Sequence, residues 1–306
     1  MACRVAAIDL GTNTARLLIA DCYPGGRFEQ LVLSRVIIRL GGGFSRQTGL
    51  ADEAIERAMR CLYEFRRQID HRGVTDVRAV ATSAVRDAAN GALFVERVRR
   101  ETGIPLAVIG GEVEARLTLR GITAGLEGNP EELFMFDVGG GSTEYSLARS
   151  GRPLFVESLP LGVVRLTEGK GDEAAMGEKI GRELAQMQQR MEVARLIPDP
   201  SGTVLVGTAG TATTLAAINL EMRDYDYRRV NNHVLTRNDI RRIYERLAPL
   251  GPAERLTVPG LEPGREDLII AGILITLHTM ECFGFEQMTV SDFGLLEGLL
   301  AAGAVT

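Results

Sequence analysis

The chain has 306 residues, a net charge of −5 and 45% hydrophobic residues, which favours two globular domains of ordinary size. No apolar run reaches the roughly 20 residues that a membrane helix needs, so the sequence argues against a membrane span and predicts a cytoplasmic protein. The negative charge, the absence of Trp and an aromatic content of 5% argue against a nucleic-acid groove built on base stacking.

The four cysteines are scattered along the chain and form no CxxC pattern. Cys3, Cys22, Cys61 and Cys282 are therefore predicted to be reduced, mainly structural thiols rather than zinc ligands.

The first half of the chain opens with stretches rich in β-branched and apolar residues, which predict three strands. YPGG at 23–26 predicts the turn between the second and third of them. Apolar residues then recur at helical spacing, and short strands alternate with helices. The predicted elements are strands at 5–10, 15–21 and 28–38, a helix at 52–71, a strand at 77–81, a helix at 92–102, a strand at 105–109 and a helix at 112–121.

The second half repeats this order. It is predicted to contain strands at 133–137, 144–148 and 154–158, a helix at 172–195, a strand at 204–206, a helix at 212–222, a polar irregular segment at 223–233, further helices, a strand at 288–291 and a helix at 295–302. The order β-β-β-α-β-α-β, used twice, predicts an internal duplication. We predict one domain over residues 1–120 and another over 121–306.

Two glycine-rich turns open the two halves, and each follows an Asp at the end of a predicted strand. They are DLGTNT at 9–14 and DVGGGST at 137–143. Glycines let backbone N–H groups approach an anion, and Thr and Ser hydroxyls add donors. An Asp repels phosphate, so we expect it to act through a divalent cation that bridges to phosphate. Ordinary hairpin turns use the same residue types, but their repetition favours a phosphate site.

A third Gly/Thr stretch, VGTAGTATTLAAI at 206–218, follows a predicted strand and opens a helix. Amides at a helix N-terminus bind anions, so this stretch predicts a further phosphate loop, although it contains neither GK[ST] nor GxGxxG. The alternative is a helix start whose small residues allow close packing.

A carboxylate and an arginine near these loops suggest phosphate chemistry. Glu114 lies at the start of the helix at 112–121, where it can act as a general base on water. Arg86 follows a predicted strand and can neutralise phosphate charge. The helix dipole explains an acid at a helix start equally well, and a surface position explains an arginine. The sequence shows no Ser/His/Asp or Cys/His nucleophile set, because its histidines are isolated.

Taken together, these motifs resemble the exopolyphosphatase/guanosine pentaphosphate phosphohydrolase (Ppx/GppA) family of the actin-like ATPase superfamily. The matching stretches, in the family's order along essentially the whole chain, are AAIDLGTNTARLLIA, ATSAVRDAANG, GGEVEARL, DVGGGSTEYSL, SLPLGVVRLTE, GTAGTATTLAA, VPGLEPGREDLIIAG and VSDFGLLEGLL. The resemblance implies an α/β fold in which two actin-like (RNase H-like) domains with mixed five-stranded sheets surround an inter-domain phosphate cleft. The chain is similar to the family's short form, without a further helical half.

The resemblance also implies residue roles. Glu114 is the expected catalytic base, Arg86 contacts substrate phosphate, and Asp137 is linked to Mg²⁺ or Mn²⁺, with Glu144 a weaker metal candidate. The expected substrate-binding residues are Asp9, Gly11, Thr12, Asn13, Gly139, Gly140, Gly141, Ser142, Thr143, Gly207, Thr208, Gly210 and Thr211.

Two residues depart from the family's S-G-x-E-E-A-R motif. Gly110 replaces the Ser and Val113 replaces the first Glu, whereas Glu114 keeps the second. The neighbouring acid, Glu112, is shifted by one residue, so the local electrostatics differ from the family pattern.

The implied activity is Mg-dependent hydrolysis of terminal phosphoanhydride bonds of inorganic polyphosphate, with release of orthophosphate. The alternatives are removal of the 5′ γ-phosphate of guanosine pentaphosphate (pppGpp), a kinase of the same superfamily, and a non-catalytic sensor of polyphosphate or nucleotide, for which Val113 is the one sequence hint. The family also implies a homodimer. The charge and composition argue against nucleic acid as a partner, and the lack of a long apolar run argues against a membrane partner.

Overall fold

The computed structural model describes residues 2–24, 27–44, 47–170 and 172–301. The chain divides into two compact units, residues 1–124 with 295–306, and residues 125–294. Each unit has its own mixed β-sheet. The sequence placed all of 121–306 in one domain, whereas in the structure the segment from residue 295 belongs to the first unit.

The first sheet has five strands in the order β3-β2-β1-β4-β5. Its first three strands form an antiparallel meander, and β4 and β5 continue the sheet parallel to β1. The elements are β1 (Cys3–Leu10), β2 (Thr14–Cys22), β3 (Phe28–Ile37), α1 (Asp52–His71), β4 (Asp76–Ala81), α2 (Ser83–Arg86), α3 (Gly91–Thr102), β5 (Leu106–Val108) and α4 (Gly111–Gly125). Because β1 and β4 run in the same direction, the loops after both strands lie at one edge of the sheet.

The second sheet has six strands in the order β10-β11-β9-β6-β7-β8. Its elements are β6 (Glu132–Val138), β7 (Thr143–Arg149), β8 (Arg152–Leu159), α5 (Val163–Lys170), α6 (Glu173–Ala194), β9 (Thr203–Thr208), α7 (Ala209–Asn219), α8 (Tyr227–Val230), β10 (Val234–Thr236), α9 (Arg237–Leu247), α10 (Pro252–Arg255), α11 (Ile269–Cys282) and β11 (Gln287–Ser291). Phe134, Phe136 and Tyr145 are fully buried between this sheet and its helices.

The two sheets confirm the predicted duplication and the α/β fold class. Without β10, the order β8-β7-β6-β9-β11 repeats the order β3-β2-β1-β4-β5, with the same antiparallel and parallel pairings. The prediction of five strands for the second sheet is wrong, because β10 pairs antiparallel with β11 as a sixth strand. This strand has three residues and buries only Leu235, too little apolar pattern to predict a strand from sequence.

The structure confirms the other predicted strands and long helices, with small shifts at their ends. It adds three short helices that were not predicted: α2, which ends at Arg86, α5 after β8, and α8 inside the polar segment at 223–233. Each has at most eight residues, which leaves little room for a helical repeat of apolar positions. The turn predicted at 23–26 includes Gly25 and Gly26, and the last predicted helix includes Ala302; these three residues lie outside the described residues.

The last helix, α12 (Leu295–Ala301), packs on the first sheet rather than the second. Its leucines cover apolar side chains of β1 and β2, namely Val5, Ala7 and Leu18. Arg78 on β4 donates hydrogen bonds to the carbonyls of Leu299 and Leu300, at 2.9 and 2.8 Å, and so caps the C-terminal end of the helix. The first unit is thus completed by a segment that is distant in sequence. Across the described ranges, no helix has the length and apolar character needed to cross a bilayer.

The register of β1 and β2 places Cys3 directly opposite Cys22. Opposite residues of an antiparallel pair have Cα atoms about 4.5–5.5 Å apart, and disulfides form at Cα separations of about 4.4–6.8 Å. Both thiols are free, Cys3 being exposed and Cys22 partly buried. Burial raises the pKa of the Cys22 thiol, so Cys3 is the better initial target of an oxidant.

We predict that diamide will join Cys3 and Cys22, because their backbones already lie at disulfide distance. The two thiols lose their hydrogens and the diamide takes them up. Intact mass spectrometry should show the loss, and alkylation should label fewer thiols. Cys3→Ser is expected to abolish the link, whereas Cys61→Ser is the control, since burial raises the pKa of Cys61 to about 12. A link that survives Cys3→Ser would contradict the prediction.

Candidate active site

The first glycine loop is the turn of the β1–β2 hairpin. Gly11 N–H donates to the Thr14 carbonyl at 3.0 Å and closes the turn. Asp9, at the end of β1, is nearly buried and lies opposite Arg16 on β2. The Arg16 Nε and Nη2 atoms both donate to Asp9 Oδ2, at 2.9 and 2.6 Å. Asp9 is therefore neutralised by an arginine on the neighbouring strand.

Thr12 and Asn13 form the tip of this loop and are both buried. The Thr12 and Ser83 hydroxyls are 2.9 Å apart, which ties the loop to the start of α2. The Asn13 Oδ1 atom is buried and accepts no hydrogen bond within the described residues. A buried polar atom in this state is costly unless a ligand satisfies it. Because a carboxamide can rotate to exchange its O and N, the same group can donate to a phosphate oxygen.

The segment at 38–43 wraps around the first loop. Ile38 N–H and Arg39 N–H both donate to the Asn13 carbonyl at 2.9 Å, and Gly41 N–H donates to the Thr12 carbonyl at 2.8 Å. A Cβ atom on Gly41 would lie 2.3 Å from Thr12 Cγ2, so only glycine allows this approach. These hydrogen bonds from the neighbouring segment fix the backbone of the first loop.

The candidate base and the candidate phosphate-binding arginine are neighbours in the first unit. Glu114, in the first turn of α4, is 8% exposed. Its Oε2 atom lies 3.9 Å from Arg86 Nη1, which also donates to the Ile109 carbonyl at 3.3 Å. The burial of this carboxylate beside a guanidinium makes Glu114 a candidate for a chemical role.

The departures from the family motif lie on the outer side of the same helix start. Val113 is 43% exposed, and the Glu112 side chain is 69% exposed and lies 3.7 Å from Arg116. Glu112 therefore faces solvent and does not replace the missing first Glu of the motif beside Glu114. A Cβ atom on Gly110 would have no neighbour within 4 Å, so the missing Ser leaves no clash or cavity.

The second glycine loop repeats the first one in the β6–β7 hairpin. Gly139 N–H donates to the Ser142 carbonyl at 2.9 Å, as Gly11 does in the first unit. Residues after β8 wrap this loop as well: Val163 N–H donates to the Gly139 carbonyl and Val164 N–H to the Gly140 carbonyl, at 3.0 and 2.9 Å. Thr143 donates its hydroxyl hydrogen to the Leu161 carbonyl. The duplication thus extends from the strands to the loop and its support.

The two units differ in the residue opposite their Asp. Asp137 lies opposite Glu144, where Asp9 has Arg16. Asp137 is 7% exposed and Glu144 is 1% exposed. The Glu144 Oε1 atom accepts hydrogen bonds from the Ser142 and Ser158 hydroxyls, both at 2.7 Å. Like charges directly opposite each other on neighbouring strands are destabilising, so a cation bound beside this pair of carboxylates would relieve their repulsion.

A row of polar side chains extends from this pair across five strands of the second sheet. The registers connect Glu144 to Ser158 on β8, Asp137 to Thr208 on β9, and Thr208 to Ser291 on β11. Cross-strand neighbours point to the same face of a sheet. The row therefore gathers oxygen atoms on one face, at the carboxyl ends of β6 and β9.

This donor set fits Mg²⁺ or Mn²⁺. Mg²⁺ prefers oxygen ligands and is held by one or two carboxylates together with substrate phosphates and water. Asp137 is the better candidate for direct contact, because Glu144 Oε1 is already occupied by two hydroxyls. Among the described residues, no group of three or more His, Cys, Asp or Glu is placed to hold a metal ion.

The third Gly/Thr loop joins β9 to α7. Ala209 has a left-handed backbone with φ of 63°, a conformation that costs an L-residue energy and that clusters at functional sites. The Thr208 side chain does not cap α7. It donates instead to the carbonyls of Ser291 and Phe293, both at 3.0 Å. The first amides of α7 therefore have no side-chain cap, as in a helix start that binds an anion.

Arg265 is a candidate site residue that the sequence reasoning missed. A Cβ atom on Gly210 would lie 1.9 Å from Arg265 Nη1, so the guanidinium rests directly on the third loop. Its side chain is 12% exposed, and its Nε donates to Glu262 Oε2 at 2.7 Å. A cation at a helix N-terminus opposes the helix dipole, so a bound anion there would relieve the repulsion. Arg265 lies in VPGLEPGREDLIIAG, one of the stretches that resemble the family. No local sequence pattern connects that stretch to the third loop.

Each unit therefore gathers its own share of the predicted residues. The first unit brings Asp9, Gly11, Thr12 and Asn13 into one loop, and places Glu114 beside Arg86. The second unit gathers Asp137, Gly139, Gly140, Gly141, Ser142, Thr143 and Glu144 in one hairpin, with Gly207, Thr208, Gly210 and Thr211 in the adjacent loop. Their catalytic, binding and metal roles remain predictions.

Comparison with known proteins identifies relatives along nearly the whole chain. Exopolyphosphatase 2 of Mycobacterium tuberculosis is 33% identical over 311 residues, covering 97% of each protein. The crystal structure of the Aquifex aeolicus Ppx/GppA family member matches with a TM-score of 0.81 and 33% identity, over 99% of this chain and 97% of that one. The structure of an exopolyphosphatase from Cytophaga hutchinsonii matches with a TM-score of 0.87 and 29% identity, over 97% and 96% of the two chains.

The same comparison reveals a different domain context in another organism. A bifunctional 3-dehydroquinate synthase/phosphatase of Fusobacterium nucleatum is 29% identical to this chain over 97% of its length, but the match covers only 46% of that larger protein. The model of the Ppx/GppA phosphatase family matches residues 18–304. This range includes all the predicted site residues except those of the first glycine loop, Asp9, Gly11, Thr12 and Asn13. The chain belongs to the Ppx/GppA phosphatase family.

Proposed function

We propose that this protein is an exopolyphosphatase, which hydrolyses the terminal phosphoanhydride bond of inorganic polyphosphate and releases orthophosphate. Family membership and exopolyphosphatase relatives of matching length support a phosphoanhydride hydrolase. The observation that carries the proposal is the buried Glu114 carboxylate, 3.9 Å from the Arg86 guanidinium. It supplies a base and a phosphate-binding cation at one place.

In this mechanism each glycine loop is a phosphate-binding element. The N–H groups of each hairpin turn, and those of the first turn of α7, are donors for phosphate oxygens, and the buried Asn13 amide gains the partner that it lacks. Arg265, on the third loop, adds a further cation. Fixed donors of this kind stabilise charge that develops as the phosphoryl group is transferred.

Glu114 acts as the general base. It accepts a proton from a water molecule as the water oxygen attacks the terminal phosphorus, and the bond to the bridging oxygen breaks. The shortened chain leaves with the electrons of that bond, and Arg86 stabilises the negative charge. The low exposure of Glu114 limits competing solvent near the proton transfer.

Asp137 would hold a divalent cation, with Glu144 orienting it through Ser142, Ser158 or water. When bound, Mg²⁺ or Mn²⁺ would neutralise phosphate charge and polarise the phosphoryl oxygens. The protein's own contribution is the row of oxygen atoms on one face of the second sheet. The opposed carboxylates Asp137 and Glu144 are the feature that supports a cation here rather than at Asp9, which Arg16 neutralises.

Hydrolysis of pppGpp is the same chemistry on a nucleotide and stands as the second candidate. Tyr225 is an exposed aromatic side chain whose hydroxyl donates to Asp292, next to Ser291 of the polar row. A ring at this position is able to stack on a base. Orthophosphate release measured side by side from short polyphosphate, long polyphosphate and pppGpp distinguishes the two. Release from pppGpp alone would reject the exopolyphosphatase.

Glu114→Gln should lower kcat for orthophosphate release from polyphosphate by about 10²–10⁴-fold, because a positioned base is lost while the side chain keeps its shape. Circular dichroism and thermal unfolding should show an unchanged fold. Glu112→Gln is the matched control, two residues away on the same helix start but exposed, and should keep near wild-type turnover. Equal loss in both variants, or none in Glu114→Gln, would contradict the assignment of the base.

Removal of divalent cations with EDTA should abolish turnover, and Mg²⁺ or Mn²⁺ should restore it. Glu144→Gln is expected to raise the Mg²⁺ concentration for half-maximal activity by about 10–100-fold, the usual effect of losing a group that orients a metal ligand. Asp137→Asn should have a larger effect, because it removes the direct ligand. The titration of activity with Mg²⁺ checks this order. Full activity of the EDTA-treated enzyme would reject the metal proposal.

A further inference from the structure

The last helix of the first unit, α12, touches the backbone of α4. A Cβ atom on Gly298 of α12 would lie 1.9 Å from the Leu117 carbonyl oxygen and 2.6 Å from its carbonyl carbon. These are backbone atoms, so no side-chain rotation could make room for it. Glycine weakens a helix interior relative to alanine, and at this position it allows α12 to approach α4 more closely than any other residue would.

Glu114 lies between two residues that pack with α12. Ile109, just before α4, and Leu117, in its second turn, share an apolar cluster with the α12 leucines, and both are nearly buried. Leu117 follows Glu114 by three residues, so the two lie on the same side of the helix. The Glu114 N–H donates to the Gly110 carbonyl at 3.0 Å. The backbone that carries the candidate base is thus packed with α12 both before and after it.

The Arg86 guanidinium adjoins the same contacts. Its Nη1 atom donates to the Ile109 carbonyl at 3.3 Å and lies 3.9 Å from Glu114 Oε2. Ile109 therefore links the arginine to the cluster that contains α12, and both members of the Glu114–Arg86 pair adjoin residues packed with this helix. Catalysis is sensitive to such distances, because a misplacement of about 1 Å caused far from the chemistry can cost about 10²-fold in rate.

We propose that α12 positions the candidate base, with Gly298 as the residue that sets the distance between α12 and α4. This inference rests on the proposed function, in which Glu114 activates water. Gly298 acts through the Leu117 backbone, about one turn along the helix from Glu114, and through the shared apolar cluster. It is a positioning residue. Its substitution should alter turnover rather than substrate binding, since the phosphate-binding loops are built from other residues.

The test is Gly298→Ala, measured as orthophosphate release from polyphosphate. The added methyl group forces α12 and α4 apart, so kcat should fall about 10²-fold, while KM stays within about two-fold of the wild-type value. The decisive comparison is the same substitution in Glu114→Gln. Once the base is lost its position no longer matters, so Gly298→Ala should then lower kcat little further. An equal fall in kcat in both backgrounds would overturn the proposal, because the defect would not act through Glu114.

Two control variants separate positioning from stability. Gly181→Ala in α6 adds a methyl group to another helical glycine, one with no neighbour within 4 Å, and should keep both kcat and the unfolding temperature. Ile69→Val trims a side chain buried in the core on the opposite face of the first sheet, and should lower the unfolding temperature without lowering kcat. A kcat that simply follows the unfolding temperature across all three variants would overturn the proposal.

Leu299→Val takes the place of Gly298→Ala if that variant does not fold. It removes part of a buried α12 side chain from the shared cluster without introducing a clash. Its kcat should fall in the wild-type background and change little in Glu114→Gln. An unchanged kcat in the wild-type background, or an equal fall in both, would overturn the proposal.

The outcomes also distinguish this inference from the proposed function. If the wild-type protein hydrolyses polyphosphate and Gly298→Ala keeps its kcat, only the α12 proposal fails. If the wild-type protein releases orthophosphate from pppGpp alone, the exopolyphosphatase assignment fails, and the same variants are compared on pppGpp, where the same fall in kcat is expected. Release from neither substrate would overturn both, because Glu114 would then have no reaction to serve.

Discussion

Strand register at the two glycine hairpins is the constraint on which the rest of the site depends. A slip by one residue would turn each Asp to the opposite face of its sheet. The register is protected because the strands around it are buried, from Val5 to Leu10 in the first hairpin and from Leu133 to Val138 in the second. The hydrophobic cores therefore do more than stabilise the units; they determine which side chains meet at the loop edge.

The duplicated hairpins have the same geometry and different electrostatics. In the first unit an arginine faces the Asp, whereas in the second a glutamate does. The residue at one equivalent position thus determines whether the Asp faces a positive or a negative side chain on the neighbouring strand. Duplication supplies the same loop twice, and divergence of a single cross-strand neighbour changes the charge beside the Asp.

Much of this organisation follows from sequence because it is local. The runs of β-branched and apolar residues predict the long strands, and the turns that carry Asp, Gly and Thr coincide with the two hairpin turns of the structure. The features that sequence did not predict arise from long-range packing. The three residues of β10 form a strand because they pair with the edge strand β11. Arg265 contacts Gly210, although more than fifty residues separate them in the chain. The Glu112 side chain looked like a displaced partner of Glu114, yet helical geometry turns it to solvent.

The position of α12 has a consequence for how the protein is made. Synthesis proceeds from the N-terminus, and domains generally fold as units as they emerge. The faces of β1 and β2 that α12 covers include Val5, Ala7 and Leu18. These apolar side chains lack the cover of α12 until residues 295–301 have left the ribosome. Residues 125–294 contain all strands of their own sheet and meet no such delay. The first part of the chain to be synthesised is therefore the last to complete its core, and chaperones have their longest opportunity to act on it.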